Sequence, residues 1–401
     1  MTRPNRLAVT GVLATIGLMS WGMVRAAARE AETPANRFVK VAASEVGGHF
    51  FSQVIYAPTI QGLVSWGTQT HHHKIRAHET RHFVVEQNRW TDALPPEKAE
   101  TWSGSPKQWG DWEICQTAGE FYEREGVRMP RPTSSFHQVC WDEHNRRLVF
   151  YVASMTFSYE PVSRQWKLIH GRKEKAQPPA LLLWSSLCYD PENEQVVLFG
   201  GGGVDRPDGR PHTWALDVRT DRWRPLKLEI EPPARCNSRM AYDRKHRVIV
   251  LFGGDAQDAA LADTWAFDVR KQQWQQRHPK EGPYPRSCHA MAHLDKSGLV
   301  LLVGGRPVCD YRRQKALSRQ AWVYDAGADT WTHLAARPPE LKGEEWCSME
   351  NVPGTDEVLL VVGVPEAYVG EIQVGQAVHV ELLAHDRFRR ARPRTEGRVY
   401  Q

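Results

Sequence analysis

An all-β chain built from repeated four-stranded units is predicted by three observations: a motif that recurs along the chain, short β-branched runs set between turn residues, and 16 tryptophans in 401 residues. The motif has two halves. In "LCYDPENEQVVLFGG" (Leu187 to Gly201) and "MAYDRKHRVIVLFGG" (Met240 to Gly254), an apolar run, an aromatic-Asp turn, a β-branched run and a Gly pair follow one another. That order reads as two strands joined by a tight turn. Tyr189 to Gly200 and Tyr242 to Gly253 both span eleven residues. The same ruler fits Trp141 to Val152, Tyr56 to Gly67 and Val352 to Gly363, with Leu294 to Gly304 one residue shorter, so six copies are counted.

The second half supplies two more strands. "TWALDVRTDRW" (Thr213 to Trp223) recurs as "TWAFDVRKQQW" (Thr264 to Trp274) and "AWVYDAGADTW" (Ala321 to Trp331), with looser forms at Thr156 to Trp166 and Arg81 to Trp90. From Trp141 the equivalent positions advance by 48, 53, 52 and 58 residues. A period near 50, four strands per unit, and a Gly pair with spaced Trp resemble the kelch repeat, one blade of a β-propeller. The resemblance covers roughly residues 50 to 390 and is strongest in the third, fourth and fifth copies. It implies six blades of four antiparallel strands, with seven as the alternative. The tryptophans then fill the wedges between blades, because a single blade cannot bury its own two faces. The Gly pairs mark sharp turns with positive φ. Either "NRFVKV" (Asn36 to Val41) or "HDRFRR" (His385 to Arg390) can supply the strand that closes the ring.

Residues 1–28 read as a signal peptide, or as an N-terminal anchor if uncleaved: Arg3 and Arg6 precede an apolar run that ends in "AAA" at Ala26 to Ala28. The remainder is therefore expected to be exported, periplasmic or extracellular. The propeller is assigned to residues 36–390, a Pro- and Trp-rich insertion at 91–134 is read as a cap over one face, and 391–401 as a disordered basic tail. Removing residues 1–28 takes away three arginines and no acids, which lowers the formal charge from +5 to +2. A chain so nearly balanced gives no electrostatic case for nucleic acid or an anionic membrane. A monomer is expected. Seven cysteines allow up to three disulfides, with no pairing implied.

If the blade strands are lettered a to d outward from the axis, the d-to-a and b-to-c connections share one face of the disc. The breaks in the repeat gather there, and so does the expected site. Arg131, Arg235, Arg239, Arg286 and His289 stand at the starts of the inner strands, and Arg306 with His71, His72 and His73 in the b-to-c loops. Guanidinium groups around a concave mouth suit carboxylate, sulfate or phosphate. A protein, an acidic glycan or a small anionic ligand is the expected partner. The competing reading is that each arginine packs on an aromatic ring or bonds a loop carbonyl.

Chemistry is less legible. Neighbouring histidines on a loop point in different directions, so "HHH" rarely gives three ligands to one ion. No cofactor is expected, with copper or zinc as the alternative on His71, His73 and His78. Cys236, Cys288 and Cys347 near the mouth read as buried apolar residues, as partners of Cys309 or Cys115 in disulfides, or as ligands. Kelch-like enzymes include copper oxidases resembling galactose oxidase and sugar-acid mutarotases, and such an enzyme is the alternative to a binding scaffold. Glu120, Glu123 or Asp111 are then the conceivable acid or base.

Overall fold

The computed structural model describes residues 37–43, 53–66, 80–84, 89–94, 121–124, 127–130, 138–152, 154–171, 184–201, 212–256, 259–307, 318, 320–334, 348–362 and 376–381. Segments 1–28, 385–390 and 391–401 lie outside them. Among the described residues every element is a strand or turn, and six four-stranded antiparallel sheets carry the architecture. Blade 1 runs Val54–Ala57, Gly62–Trp66, Thr80–Val84, Arg89–Leu94, and blade 2 Gln138–Asp142, Arg147–Val152, Met155–Glu160, Gln165–His170. Blade 3 runs Ser186–Asp190, Gln195–Phe199, Thr213–Asp217, Arg222–Pro225. Blade 4 runs Arg239–Asp243, Val248–Phe252, Thr264–Asp268, Gln273–Arg277, and blade 5 Ala290–Leu294, Leu299–Val303, Ala321–Asp325, Thr330–Leu334.

Blade 6 takes three strands from the C-terminal side, Ser348–Asn351, Glu357–Val362 and Gln376–Glu381, and its outer strand Arg37–Ala43 from the N-terminal side. Of the two candidate closing segments, the N-terminal one is used. Arg37 pairs with Glu381 and Ala43 with Gln376, with one irregularity between Lys40 and Ala42. The inner strands are neighbours in ring order, and that of blade 6 touches that of blade 1. A β-propeller of six blades results. Within the insertion at 91–134, residues 91–94 finish the outer strand of blade 1. A hairpin of Phe121–Arg124 and Val127–Pro130 lies beside the outer strand of blade 2.

Burial follows the strand's place in the blade. Second strands are apolar on both faces and buried throughout, as in "QVVLF" of blade 3 and "LVLLV" of blade 5. Outer strands alternate: in "RWRP", "QWQQR" and "TWTHL" the Trp is buried and at least one flanking polar side chain faces water. Each of those Trp fastens one blade to the preceding one. The indole N–H of Trp166 donates to Thr80 Oγ1 at 3.1 Å, Trp223 to Thr156 at 2.8 Å, Trp274 to Thr213 at 3.0 Å and Trp331 to Thr264 at 3.0 Å. The same rings pack edge-on or tilted on aromatics of the sheet they meet, as Trp331 does on Phe252 at 5.2 Å. The tryptophan excess is thus an inter-blade bolt that also satisfies its own polar atom.

The Gly pairs do more than turn the chain. Gly253 and Gly254 have φ of 60° and 104°, and Gly254 N–H donates to the carbonyl of Arg286 at the start of the next blade at 2.9 Å. A Cβ on Gly253 would lie 2.4 Å from that carbonyl oxygen. Blade 3 repeats the arrangement with Gly200, Gly201 and the Arg235 carbonyl. Gly253→Ala therefore combines a left-handed backbone with a blocked blade contact. It is expected to cost about 2 kcal/mol or more, read as a lowered urea midpoint with an unchanged slope.

The aromatic-Asp turns are locked by the aspartate. Asp190, fully buried, accepts from the backbone N–H groups of Glu192 and Asn193 and from the side chains of Asn193 and Gln195. Asn193 then donates to the Val269 carbonyl of blade 4 at 2.7 Å, and Asn145 does the same to Val218 of blade 3 at 2.8 Å. Blades are therefore bolted at the a-to-b turns as well as by the tryptophans.

Candidate functional site

The six inner strands surround a channel that holds a cavity of about 550 Å³. Register fixes what each strand contributes. The pairs Tyr56 with Leu63, Trp141 with Leu148, Tyr189 with Val196, Tyr242 with Ile249, His293 with Val300 and Asn351 with Val358 occupy one equivalent position in the six blades. Those first partners form one layer of the cavity wall, four of them aromatic. The preceding residues, Ile55, Cys140, Cys188, Ala241, Ala292 and Glu350, form the next layer. By this register His293 to Gly304 spans eleven residues, so the copy read as one residue short is regular.

The cavity reaches the a-to-b turns, one from each blade, through Thr59, Glu143, Pro191, Arg244, Asp295 and Pro353. Across this mouth the Arg244 guanidinium of blade 4 donates to the Glu143 carboxylate of blade 2, passing over blade 3. Both side chains are more than a third exposed, so the pair contributes little to stability. At the other end Arg239 begins its inner strand and donates from Nε to the His289 carbonyl at 3.0 Å.

Glu350 is the acid of the inner layer. Burial pushes its carboxyl up to about 8, against the lowering effects of the Tyr56 backbone N–H that it accepts and of the Arg239 charge. At neutral pH most of the population is protonated. Burial likewise raises the thiols of Cys140 and Cys188, and the Glu350 charge adds to both. The tyrosines Tyr56, Tyr189 and Tyr242 are raised by burial too.

Residues 142–363, more than half of the chain, match the family model described as the KLHDC2/KLHL20/DRC7 Kelch-repeats domain. The chain belongs to the kelch-repeat family. Among curated proteins, Adagio-like protein 3 of Oryza sativa subsp. japonica is 32% identical over 113 residues, 27% of this chain and 18% of that protein. Putative adagio-like protein 2 of the same plant is 33% identical over 114 residues, again 27% and 18%. Mei4-dependent protein 6 of Schizosaccharomyces pombe (strain 972 / ATCC 24843) is 25% identical over 163 residues, 38% of this chain and 23% of that protein. The matches thus span about a fifth of these relatives.

In this kelch propeller the expected arginine ring is divided. Arg239 lines the channel. Arg235 is 2% exposed; it holds Asp263 with two bonds of 2.5 and 2.7 Å and donates to the carbonyls of Gly253 and Pro233. Although burial works the other way, Arg235 keeps the Asp263 carboxyl low. Arg286 is 1% exposed and donates to the carbonyls of Tyr284 and Gly304 and to Ser318 and Gln320. Without a carboxylate among those partners, burial lowers it to about 10. Arg306, also buried, reaches Ser287 and Asp255. These three guanidiniums tie loops to blades, and none lines the cavity.

His289 is fully buried, and burial with the nearby Arg286 and Arg239 charges holds it neutral. His82 is buried against the Tyr159 hydroxyl at 3.0 Å. Cys288 is buried and Cys236 half-buried. His71, His72, His73, His78, Arg131, Cys115, Cys309, Cys347, Asp111 and Glu120 lie outside the described residues. Of Glu123 only its place in the hairpin strand is described. No group of three His, Cys, Asp or Glu among the described residues is arranged to hold a metal ion.

Glu350, Tyr56, Trp141, Tyr189 and Tyr242 were not among the expected site residues. The aromatic residues read as turn-adjacent packing. Glu350 had a usable signal, because it is the single carboxyl at a register position that holds Ile, Cys or Ala in the other five blades.

Proposed function

We propose that this kelch propeller is a recognition module that takes a segment of a partner protein into the channel mouth framed by the a-to-b turns. The observation that carries this reading is the cavity of about 550 Å³, open between turns from all six blades and walled by four aromatic residues. Concave sites of this size, apolar with a few convergent polar groups, are where binding concentrates. The preference for a protein over an acidic glycan or small anion rests on Arg235, Arg286 and Arg306, whose donors are engaged inside the fold. A photo-crosslinking residue at Thr59, on the mouth, is expected to capture the partner, whereas one at Tyr284, 66% exposed on a d-to-a connection, is not. Capture at position 284 alone would return recognition to the loop face.

Export is part of the proposal and is supported by residues 1–28. N-terminal sequencing of the protein recovered outside the cytoplasm is expected to begin near residue 29. A start at residue 1 or 2 would remove the cleaved-signal reading.

One observation favours a second reading, a carbohydrate-active enzyme of the sugar-acid mutarotase kind. A carboxyl raised to about 8 faces an arginine inside a cavity, the arrangement a general acid-base residue needs. Exchange between sugar-acid anomers, followed by NMR line broadening, would then be accelerated by the protein and lost in Glu350→Gln.

A further inference from the structure

Four aromatic side chains, Tyr56, Trp141, Tyr189 and Tyr242, line one layer of the cavity, and the next layer includes Glu350. The face of an aromatic ring attracts a cation, most strongly where water is displaced. Ala292, on the neighbouring blade, and Ala241 are the smallest residues of the Glu350 layer. Glu350 forms no ion pair with a described residue, and its carboxyl accepts from the Tyr56 N–H. The arginines of the wall have other bonds: Arg244 on Glu143, and Arg239 Nε on the His289 carbonyl. The wall thus holds an acid that Arg239 influences by its charge but does not ion-pair, set beside rings suited to supply the rest of a cation's surroundings.

Resting on the recognition reading above, we propose that the channel accepts an alkylammonium group, carried either by a free amine or by a lysine side chain of the partner segment, with the charge against Glu350 and the stem against the aromatic layer. Because Glu350 is protonated in the unliganded channel at neutral pH, an ammonium replaces its proton and the charge of the site is unchanged. Binding therefore strengthens as pH rises toward 8. The Cys140 and Cys188 thiols facing the acid stay protonated below that pH. Of the mouth residues, His293 is held low by burial, against the raising effects of Asp243 and Asp295. Tyr189 and Tyr242 remain neutral, and Glu143 is paired with Arg244.

Three methionines, Met240, Met291 and Met349, line the same cavity, whereas Met155 is buried in blade 2 away from it. Methyl-methionine NMR on the full chain, with n-butylammonium chloride as probe at pH 8.5 and pH 6, therefore reads the site directly. The three channel methyls are expected to shift saturably while Met155 stays fixed. The apparent affinity should fall by up to about tenfold per pH unit below 8, and Glu350→Gln should bind more weakly at pH 8.5 and lose the pH dependence. The methyl spectrum of the variant itself shows whether it is folded. Capped lysine amide binding as well as butylammonium would assign the group to a partner's side chain; butylammonium alone would assign it to a free amine. Silent channel methyls, equal binding by folded Glu350→Gln, or shifts with sodium acetate in place of butylammonium would overturn the proposal. If a partner still cross-links at Thr59 while the methyls are silent, recognition at the mouth stands and only the ammonium chemistry falls.

Discussion

Trp223→Ala is expected to lower the unfolding free energy by about 3–5 kcal/mol, a large share of the roughly 5–15 kcal/mol typical of a folded domain. Trp223 is fully buried, packs edge-on against Tyr151 at 5.9 Å and donates to Thr156 at 2.8 Å. Truncation removes the wedge between blades 2 and 3 and leaves the Thr156 hydroxyl without that partner. Thr156→Val keeps the packing and strips the acceptor, which leaves a buried indole N–H unpaired at a cost of about 1–3 kcal/mol. Urea denaturation of the two variants separates wedge from bond. A loss below about 1 kcal/mol for Trp223→Ala would mean that neighbouring blades hold together without the bolt.

Glu350→Gln is expected to stabilise the protein at pH 8 relative to pH 5. A carboxyl whose folded value stands near 8, above its ordinary 4.5, binds its proton more tightly in the folded state. Its penalty on stability is therefore absent below about pH 4.5, grows as pH rises to 8, and then levels off. Glutamine removes that slope. Discounted for a channel open to water, the difference between pH 5 and pH 8 amounts to about 2 kcal/mol, seen as a melting temperature a few degrees higher for the variant at pH 8 and nearly equal at pH 5. Parallel melting curves across that range would place Glu350 in water.

The repeat made most of the architecture readable before any coordinate. Bolting tryptophans, Gly pairs and the aromatic-Asp turns are local signals, repeated with nearly fixed spacing, and each corresponds to a bond in the structure. Register was harder to read in blades 5 and 6. There Leu294 and Val352 stand in the place filled by Asp190 and Asp243, so anchoring on the turn put the ruler one residue late, past His293 and Asn351. A one-residue slip in a strand exchanges its faces, and for the same reason Glu350 went unnoticed. The arginines are a different case. Their positions at the strand starts were legible, but whether a guanidinium faces a channel or turns back on a carbonyl is decided by partners far along the chain, such as Asp263 for Arg235 and Gln320 for Arg286.

The central claim is that recognition occurs at the a-to-b mouth of the closed ring. Hydrogen exchange on the complex captured through position 59 tests it most directly, because every a-to-b turn supplies backbone amides at that mouth. Protection is predicted at residues 58–61, 143–146, 191–194, 244–247, 295–298 and 353–356. Protection confined to residues 232–238 and 284–289, on the opposite face, would contradict it.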